Sequence, residues 1–480
     1  MVSAEVPVFF LRFSLGRGEE KMKEKDTTIG QAPIRDARTL GAPRMLVLGL
    51  QHMFAMFGAT VLVPILVQSY GLPLSTQTTL FFAGFGTLFF HLCTKLEIPA
   101  FLGSSFAFLG GFSAMANLDT GKYAAMAPGE KLQYACGGIV VAGLLYVILA
   151  LVVKVVGVHR VMRFLPPVVT GPIIILIGLN LAPSAVSNAS TCWWLALVSM
   201  AIIVAANIWG RGMVKIIPIL LGVVGGYVAA LLAGMVDFTG LSGSTLLGGE
   251  NPILGLQPFF TDFSGSVAKF DLSAILVMAP IAVASMMEHI GDISAISATV
   301  GENFIEKPGL HRTLVGDGVA TALAGLFGGP ANTTYGENTG VLALSRVHDP
   351  RVIRLAALYA IVLSFSPLFA AFVSSIPSAI IGGVSFILYG MISAIGVRNV
   401  VENQVDFTNS RNLIIAAVIL VCGLGFTDGL TFHIGEVSIT LTSLAIAAIA
   451  GIALNAILPG NDFRFGKTAT SDTAASLGRY

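Results

Sequence analysis

Two polar stretches interrupt an otherwise apolar chain, and both carry carboxylates. One is Asn332-Thr333-Thr334-Tyr335-Gly336-Glu337-Asn338, a glycine-broken run with Glu337 at its centre; the other is Ser285-Met286-Met287-Glu288-His289-Ile290-Gly291-Asp292. An ionisable group at membrane depth costs about 2.5 to 3.5 kcal/mol even on lenient insertion scales, so its retention points to use. Glu288 and Asp292 are four residues apart and share one face of a helix. The 49 residues from Glu288 to Glu337 are enough for two helices to leave and return, so both carboxylates can meet in one cavity. A ligand for such a cavity offers donors to carboxylates, acceptors to backbone N–H groups, and a flat body that stacks on Phe106 or Tyr335. A planar cyclic amide or imide such as a nucleobase meets that demand; a sugar or a metal ion meets it less well.

The elements that position these residues are set by composition. Of 480 residues, 55% are hydrophobic and 11% charged, with a mean hydropathy of +0.84. That balance requires a lipid solvent and defines an all-α polytopic membrane protein. Fourteen apolar runs suit membrane segments, near 45–70, 76–94, 98–115, 133–156, 164–184, 191–209, 214–236, 272–298, 313–328, 332–345, 352–374, 377–397, 411–426 and 437–458. With both termini cytoplasmic, all but three of the 27 Lys and Arg residues fall inside, the exceptions being Lys122, Lys131 and Lys269. A count of twelve segments keeps the same orientation. The first 40 or so residues, mixed in charge and without a long apolar run, read as a disordered cytoplasmic tail or as a start placed too far upstream.

The connection from about 237 to 271 is long, rich in Gly and Ser, suited to short strands, and central. Seven segments precede it and seven follow, and an odd number per half inverts the second half, which is the topology of an inverted repeat. The third segment of each half is short and broken, around Gly103-Ser104-Ser105-Phe106 in the first and the Asn332 run in the second. Paired breaks of this kind point to a transporter's binding site, because unwound backbone survives at the midplane only where it lines a cavity. Each break also frees backbone N–H groups at the start of a half helix.

Several stretches are similar to the bacterial uracil permeases of the nucleobase/cation symporter-2 (nucleobase-ascorbate transporter) family. They are Gln51-His52-Met53 through Val63-Pro64, Gly103 through Phe108, Glu288-His289, Asn332 through Asn338, and Pro377 through Gly382-Gly383 to Tyr389-Gly390. The likeness covers roughly residues 43 to 458 in order. It implies a core domain (segments 1 to 4 and 8 to 11, residues 43–156 and 272–374) and a gate domain (segments 5 to 7 and 12 to 14, residues 157–236 and 375–458). Flanking them are tails at 1–42 and 459–480 and the extracellular connection 237–271. It further implies a homodimer in the cytoplasmic membrane, an elevator-type motion, and import of uracil with a proton as coupling ion and no cofactor.

By the same resemblance, Glu288 accepts from the uracil ring N–H groups, Phe106 and Gly336 offer backbone N–H groups to its carbonyls, and Tyr335 packs on the ring. Glu337 joins binding to proton coupling, with Asp292 and His289 in the proton network, and Tyr389 approaches from the gate side. Asp292 departs from the pattern, since similar uracil permeases carry His at that position. Asp there resembles the xanthine and urate branch, which in turn has Gln or Asn where this chain has Glu337. Xanthine or another purine base is thus the alternative substrate.

The remaining features are plainer. Cys93, Cys136, Cys192 and Cys422 are scattered, with no metal-binding spacing, and read as small core residues. A net charge of +1, spread over short loops, gives no nucleic-acid signal. His52 and His289 read first as satisfied core histidines, and Asp317, after Gly316, as a helix-end or interface residue. Pro166-Pro167 and Pro183 bracket the fifth segment, and Gly225-Gly226 and Gly382-Gly383 permit close helix packing. Asn188-Ala189-Ser190 matches a glycosylation acceptor. A channel would carry polar rings along a pore rather than at one depth, and an integral-membrane enzyme would show a Ser/His/Asp triad, an HExxH motif or a nucleophilic cysteine.

Overall fold

The computed structural model describes residues 33–119, 121–236, 267–427, 429–434 and 437–460. Expectations for the first 32 residues, for most of the central connection and for the chain after residue 460 lie outside the described residues. In chain order the first half holds α1 (Ala42–Ser69), α2 (Thr76–Cys93), β1 (Leu102–Ser104), α3 (Leu109–Ala116), α4 (Pro128–Val156), α5 (Val158–Met162), α6 (Pro167–Ser190), α7 (Trp193–Ile208), α8 (Met213–Ile216) and α9 (Pro218–Leu232). The second holds α10 (Leu272–Met278), α11 (Ala282–Val300), α12 (Leu310–Leu326), β2 (Asn332–Thr334), α13 (Gly336–Ser345), α14 (Pro350–Ser364), α15 (Pro367–Ser374), α16 (Ser378–Glu402), α17 (Ser410–Gly425), β3 (Leu430–Ile434), β4 (Val437–Leu441) and α18 (Ser443–Ile457).

Among the described residues, five spans are long and apolar enough to cross a bilayer: α1, α4, α6, α10 with α11, and α16; several shorter apolar helices accompany them. Pro280, in the 3-10 turn Ala279–Ile281, explains why α10 and α11 are separate helices. The expected segments and tail differ from the structure at further points. The eleventh is two helices, because Ser366 before Pro367 starts a new one, its hydroxyl accepting from Phe369 N at 3.2 Å. The fourteenth opens as strand β4, antiparallel to β3 from Leu430↔Leu441 to Ile434↔Val437. The alternation Val437-Ser438-Ile439-Thr440-Leu441 is a strand pattern that apolar content alone had concealed. Pro183 does not end the fifth segment but sits inside α6 together with Pro172. Residues 34–40 are not loose tail: Ala37–Leu40 form a 3-10 turn, and Ala37 is fully buried against Val347 and Val352.

Packing falls into two sets. Helices α1, α2, α4, α12 and α14 enclose β1 and β2, while α6, α7, α9, α16, α17 and α18 pack on one another, and α11 touches both sets. Glycine permits the closest approaches: a Cβ on Gly143 of α4 would lie 2.4 Å from the Gly318 carbonyl oxygen of α12, and one on Gly178 of α6 would lie 2.2 Å from that of Tyr389 on α16. The three lysines expected outside gather at the start of α4, as Lys122–Asp271 (2.6 Å), Lys131–Asp119 (3.0 Å) and Lys269–Glu130 (2.7 Å) pairs. Lys154 and Arg160 stand at its other end. Cys136 is buried and the other three cysteines are half-buried.

Candidate substrate-binding site

The two expected breaks meet. Strands β1 and β2 pair antiparallel, Leu102↔Thr334, Gly103↔Thr333 and Ser104↔Asn332. The pairing extends at both ends, with Tyr335 N donating to Phe101 O (3.0 Å) and Ser105 N to Ala331 O (2.8 Å). So short a ladder needs outside partners, and each strand finds a threonine hydroxyl on a neighbouring helix. Thr87 of α2 accepts from Leu102 N (2.8 Å) and donates to its carbonyl (3.2 Å). Thr321 of α12 accepts from Asn332 N and donates to its carbonyl, both at 3.1 Å.

From this pair two short helices diverge. Phe106 opens a 3-10 turn leading into α3, and Gly336 opens α13, neither with a side-chain cap. Their first N–H groups and the positive ends of their dipoles therefore favour a carbonyl oxygen or an anion placed between them. A cavity lies there, lined on one side by Phe106, Glu288, Asp292, Thr334, Gly336 and Glu337, with Tyr335, and on the other by Ile174 of α6 and Ile392 and Ile395 of α16. One wall carries three carboxylates; the opposite wall is apolar.

Glu288 has one carboxylate oxygen, Oε2, buried without a protein partner. Asp292, one turn on, accepts from Thr334 Oγ1 at 3.1 Å. That hydroxyl stands 3.5 Å from His289 Nδ1, which lies 3.0 Å from Asp317 Oδ2, with both His289 and Asp317 side chains wholly buried. Asp317 is thus no helix-end residue: it sits inside α12 and sets its carboxyl group against a histidine of α11. The signal that singled out Glu288, a carboxylate in an apolar helix, applied equally to Asp317. His52 is held by Asn338 of α13, whose Nδ2 contacts its carbonyl (3.0 Å) and Nδ1 (3.3 Å).

Tyr335 is anchored rather than free. Its hydroxyl donates to Ser104 O at 2.9 Å and meets Ser104 Oγ at 3.2 Å. Its ring fills the space that only a glycine leaves, for a Cβ on Gly103 would lie 2.3 Å from Tyr335 Cζ. Tyr389 of α16 meets Phe106 edge-on, centroids 6.0 Å apart at 74°. Every expected site residue therefore lies in the cavity or in contact with its lining, while Thr334, Asp317 and the three isoleucines were not foreseen. Among the described residues no His, Cys, Asp or Glu cluster suited to a metal occurs.

Apolar spanning helices, chain breaks paired at their centre and carboxylates facing the break define an integral membrane transport protein. The fold agrees: the transmembrane domain of a cyanobacterial bicarbonate transporter, BicA, superposes with a TM-score of 0.57 at 15% identity, over 88% of this chain and 99% of that one. A sequence model of the permease family matches residues 43–432. The uracil permease of Bacillus caldolyticus is 41% identical over 436 residues, 89% of this chain and 94% of that protein. The uracil permease of Bacillus subtilis is 42% identical over 431 residues, 85% and 91% of the respective chains. The chain belongs to the permease family that contains the xanthine and uracil permeases, and its relatives make it a transporter rather than an enzyme.

Proposed function

We propose that this permease carries uracil into the cell together with a proton. One observation carries the reading: the cavity sets two uncapped helix starts beside Glu288 and faces them with an isoleucine wall. Uracil presents carbonyl oxygens and ring N–H groups around one edge and C–H groups on the other. In this reading Phe106 N–H and Gly336 N–H donate to the carbonyls, Glu288 accepts from the ring N–H groups, and the C–H edge rests on Ile174, Ile392 and Ile395. Tyr335 closes the cavity beside the ring and Tyr389 approaches from the far wall. The names of the relatives agree with this substrate.

Glu337, Asp292 and His289 hold or pass the coupling proton. Three carboxylates around one desolvated space repel one another, and a proton on any of them removes one of those charges. Loss of a charge eases passage of the polar wall along the apolar one. The two packing sets support a division into a core carrying the breaks and a gate carrying the isoleucines, with an elevator-type motion of one along the other. Matched threonine supports at β1 and β2, each from the helix preceding its break, support a repeat of the two breaks, and the proposal includes fourteen crossings in two inverted halves. A homodimer with both termini on the cytoplasmic side completes the proposal.

Uptake of labelled uracil into vesicles of purified protein tests it. Saturable uptake that an inward proton gradient drives, and that unlabelled uracil competes with more strongly than xanthine, is expected. Uptake indifferent to the gradient removes the symport, and stronger competition by xanthine reassigns the substrate.

A further inference from the structure

Residues 34–40 tie together the C-terminal ends of the two helices that hold the carboxylates. Ile34 forms a parallel bridge with Val347, its N–H donating to Arg346 O (2.9 Å) and its carbonyl accepting from His348 N (2.8 Å). Arg346 is the C-cap of α13, the helix that starts at Gly336 and Glu337. Ala37 N donates to Asp349 Oδ2 at 2.7 Å, and Arg351 Nη1 reaches both Asp36 Oδ1 and Asp349 Oδ2 at 3.1 Å. The Arg38 side chain, hydrogen-bonded to it, holds the Asp36 carboxyl down at about 2, so the link to Arg351 keeps its charge near neutral pH. Arg35 pairs with Glu302, and its Nη2 reaches Val300 O at 3.5 Å. Val300 ends α11, the helix of Glu288 and Asp292, and Glu302 directly follows its C-cap Gly301.

We propose that residues 34–40 are a positioning strap: they hold the ends of α11 and α13 at one spacing, and so set the separation of Glu288 and Glu337 across the cavity. Helices transmit displacement as short rods. At 1.5 Å per residue, Glu302 is about 21 Å along the chain axis from Glu288, and Arg346 about 14 Å from Glu337. Helix α13 has only ten residues and begins at a three-residue strand, and it packs on α1 and α11. The strap leads directly into α1, which grips α13 a second time through His52 and Asn338. The strap also seats on the start of α14, through its N-cap Asp349 and through Arg351 and Val352, and among the described residues its hydrogen bonds and ion pairs reach no cavity residue.

The test combines truncation with charge reversal, and reads both uracil binding and amide hydrogen exchange. Only the first readout rests on uracil as the ligand. Removal of residues 2–32, which leaves the strap, is expected to keep binding and exchange at wild-type values. Glu302→Lys, which sets like charges together while leaving the fold's core untouched, is expected to weaken binding by about threefold, in the range of an exposed ion pair. Removal of residues 2–40 is expected to weaken binding at least as much and to speed exchange over 336–345 and 293–300. Arg35→Glu combined with Glu302→Lys restores both readouts. Faster exchange in a protein that binds no uracil retains the strap and rejects the substrate. Unchanged affinity and exchange in Glu302→Lys and in the 2–40 truncation, or in Glu302→Lys alone where the truncated protein does not fold, overturns the strap.

Discussion

The two chain breaks at the centre of the protein share a frame and differ in content. Each has a three-residue strand, a threonine hydroxyl from the preceding helix bridging its first residue, and a helix that starts uncapped beyond it. Beyond the first strand the chain continues as Ser105-Phe106-Ala107-Phe108, a 3-10 turn without charge. Beyond the second it passes through Tyr335 directly into an α-helix with Glu337 in its first turn. The first break supplies an apolar platform and one N–H; the second supplies an N–H and a carboxyl group. Equivalent backbones thus carry different groups, one an aromatic platform and the other the carboxyl group to which the proposed symport gives the proton.

The largest effect is expected at the carboxylate that both breaks face. Glu288→Gln preserves size but sets an amide donor against a ring N–H, and an unsatisfied buried group costs roughly 1 to 3 kcal/mol, more where charge is lost. Binding of uracil to the purified variant should fall about tenfold or more; near-normal titration would remove Glu288 from the site. The charge of the second break comes next. Glu337→Gln should cut accumulation of uracil against a gradient more than it cuts exchange of labelled for unlabelled uracil, and equal loss of both would place the coupling proton elsewhere.

The glycines separate the breaks by geometry. Gly103→Ala drives a methyl into the Tyr335 ring, 2.3 Å from Cζ, whereas Gly336→Ala meets Ile395 Cδ1 at 3.3 Å and Asp292 Oδ1 at an ordinary 3.7 Å. Overpacking of the first kind costs about 1 to 3 kcal/mol. Gly103→Ala should therefore melt several degrees lower, while Gly336→Ala should melt near wild type and bind uracil more weakly. The reverse order of melting temperatures would contradict the division of roles. Tyr335→Phe should cost less stability than Gly103→Ala, since it loses hydrogen bonds to Ser104 worth about 1 kcal/mol; a larger loss than that of Gly103→Ala would show the hydroxyl, not the ring, to be the main tie.

The carboxylates and breaks were legible because charge and glycine are rare in apolar sequence, and each rarity has a physical cost that demands a reason. The supports were not. Thr87 and Thr321 lie in helices where a hydroxyl is unremarked, and their importance appears only when a strand end is found beside them. Ile174, Ile392 and Ile395 are three among many isoleucines, and only α6 and α16 folding against the breaks makes them a wall. Asp317 was misjudged because Gly316 before it suggested a helix boundary where α12 runs straight on. Strand β4 was hidden by hydropathy, which counts apolar residues without their period. Ile34, Ala37 and Leu40 are too few to announce a docked turn, and their patch forms only with Val347 and Val352.

The central claim is that uracil sits between the two helix starts, and the structure of the protein with uracil bound tests it most directly. The account predicts the ring carbonyls on the N–H groups of Phe106 and Gly336, the ring N–H groups on Glu288, and the C–H edge toward Ile392 and Ile395. A ring bound elsewhere, or one bound with Glu288 turned away from it, would contradict it.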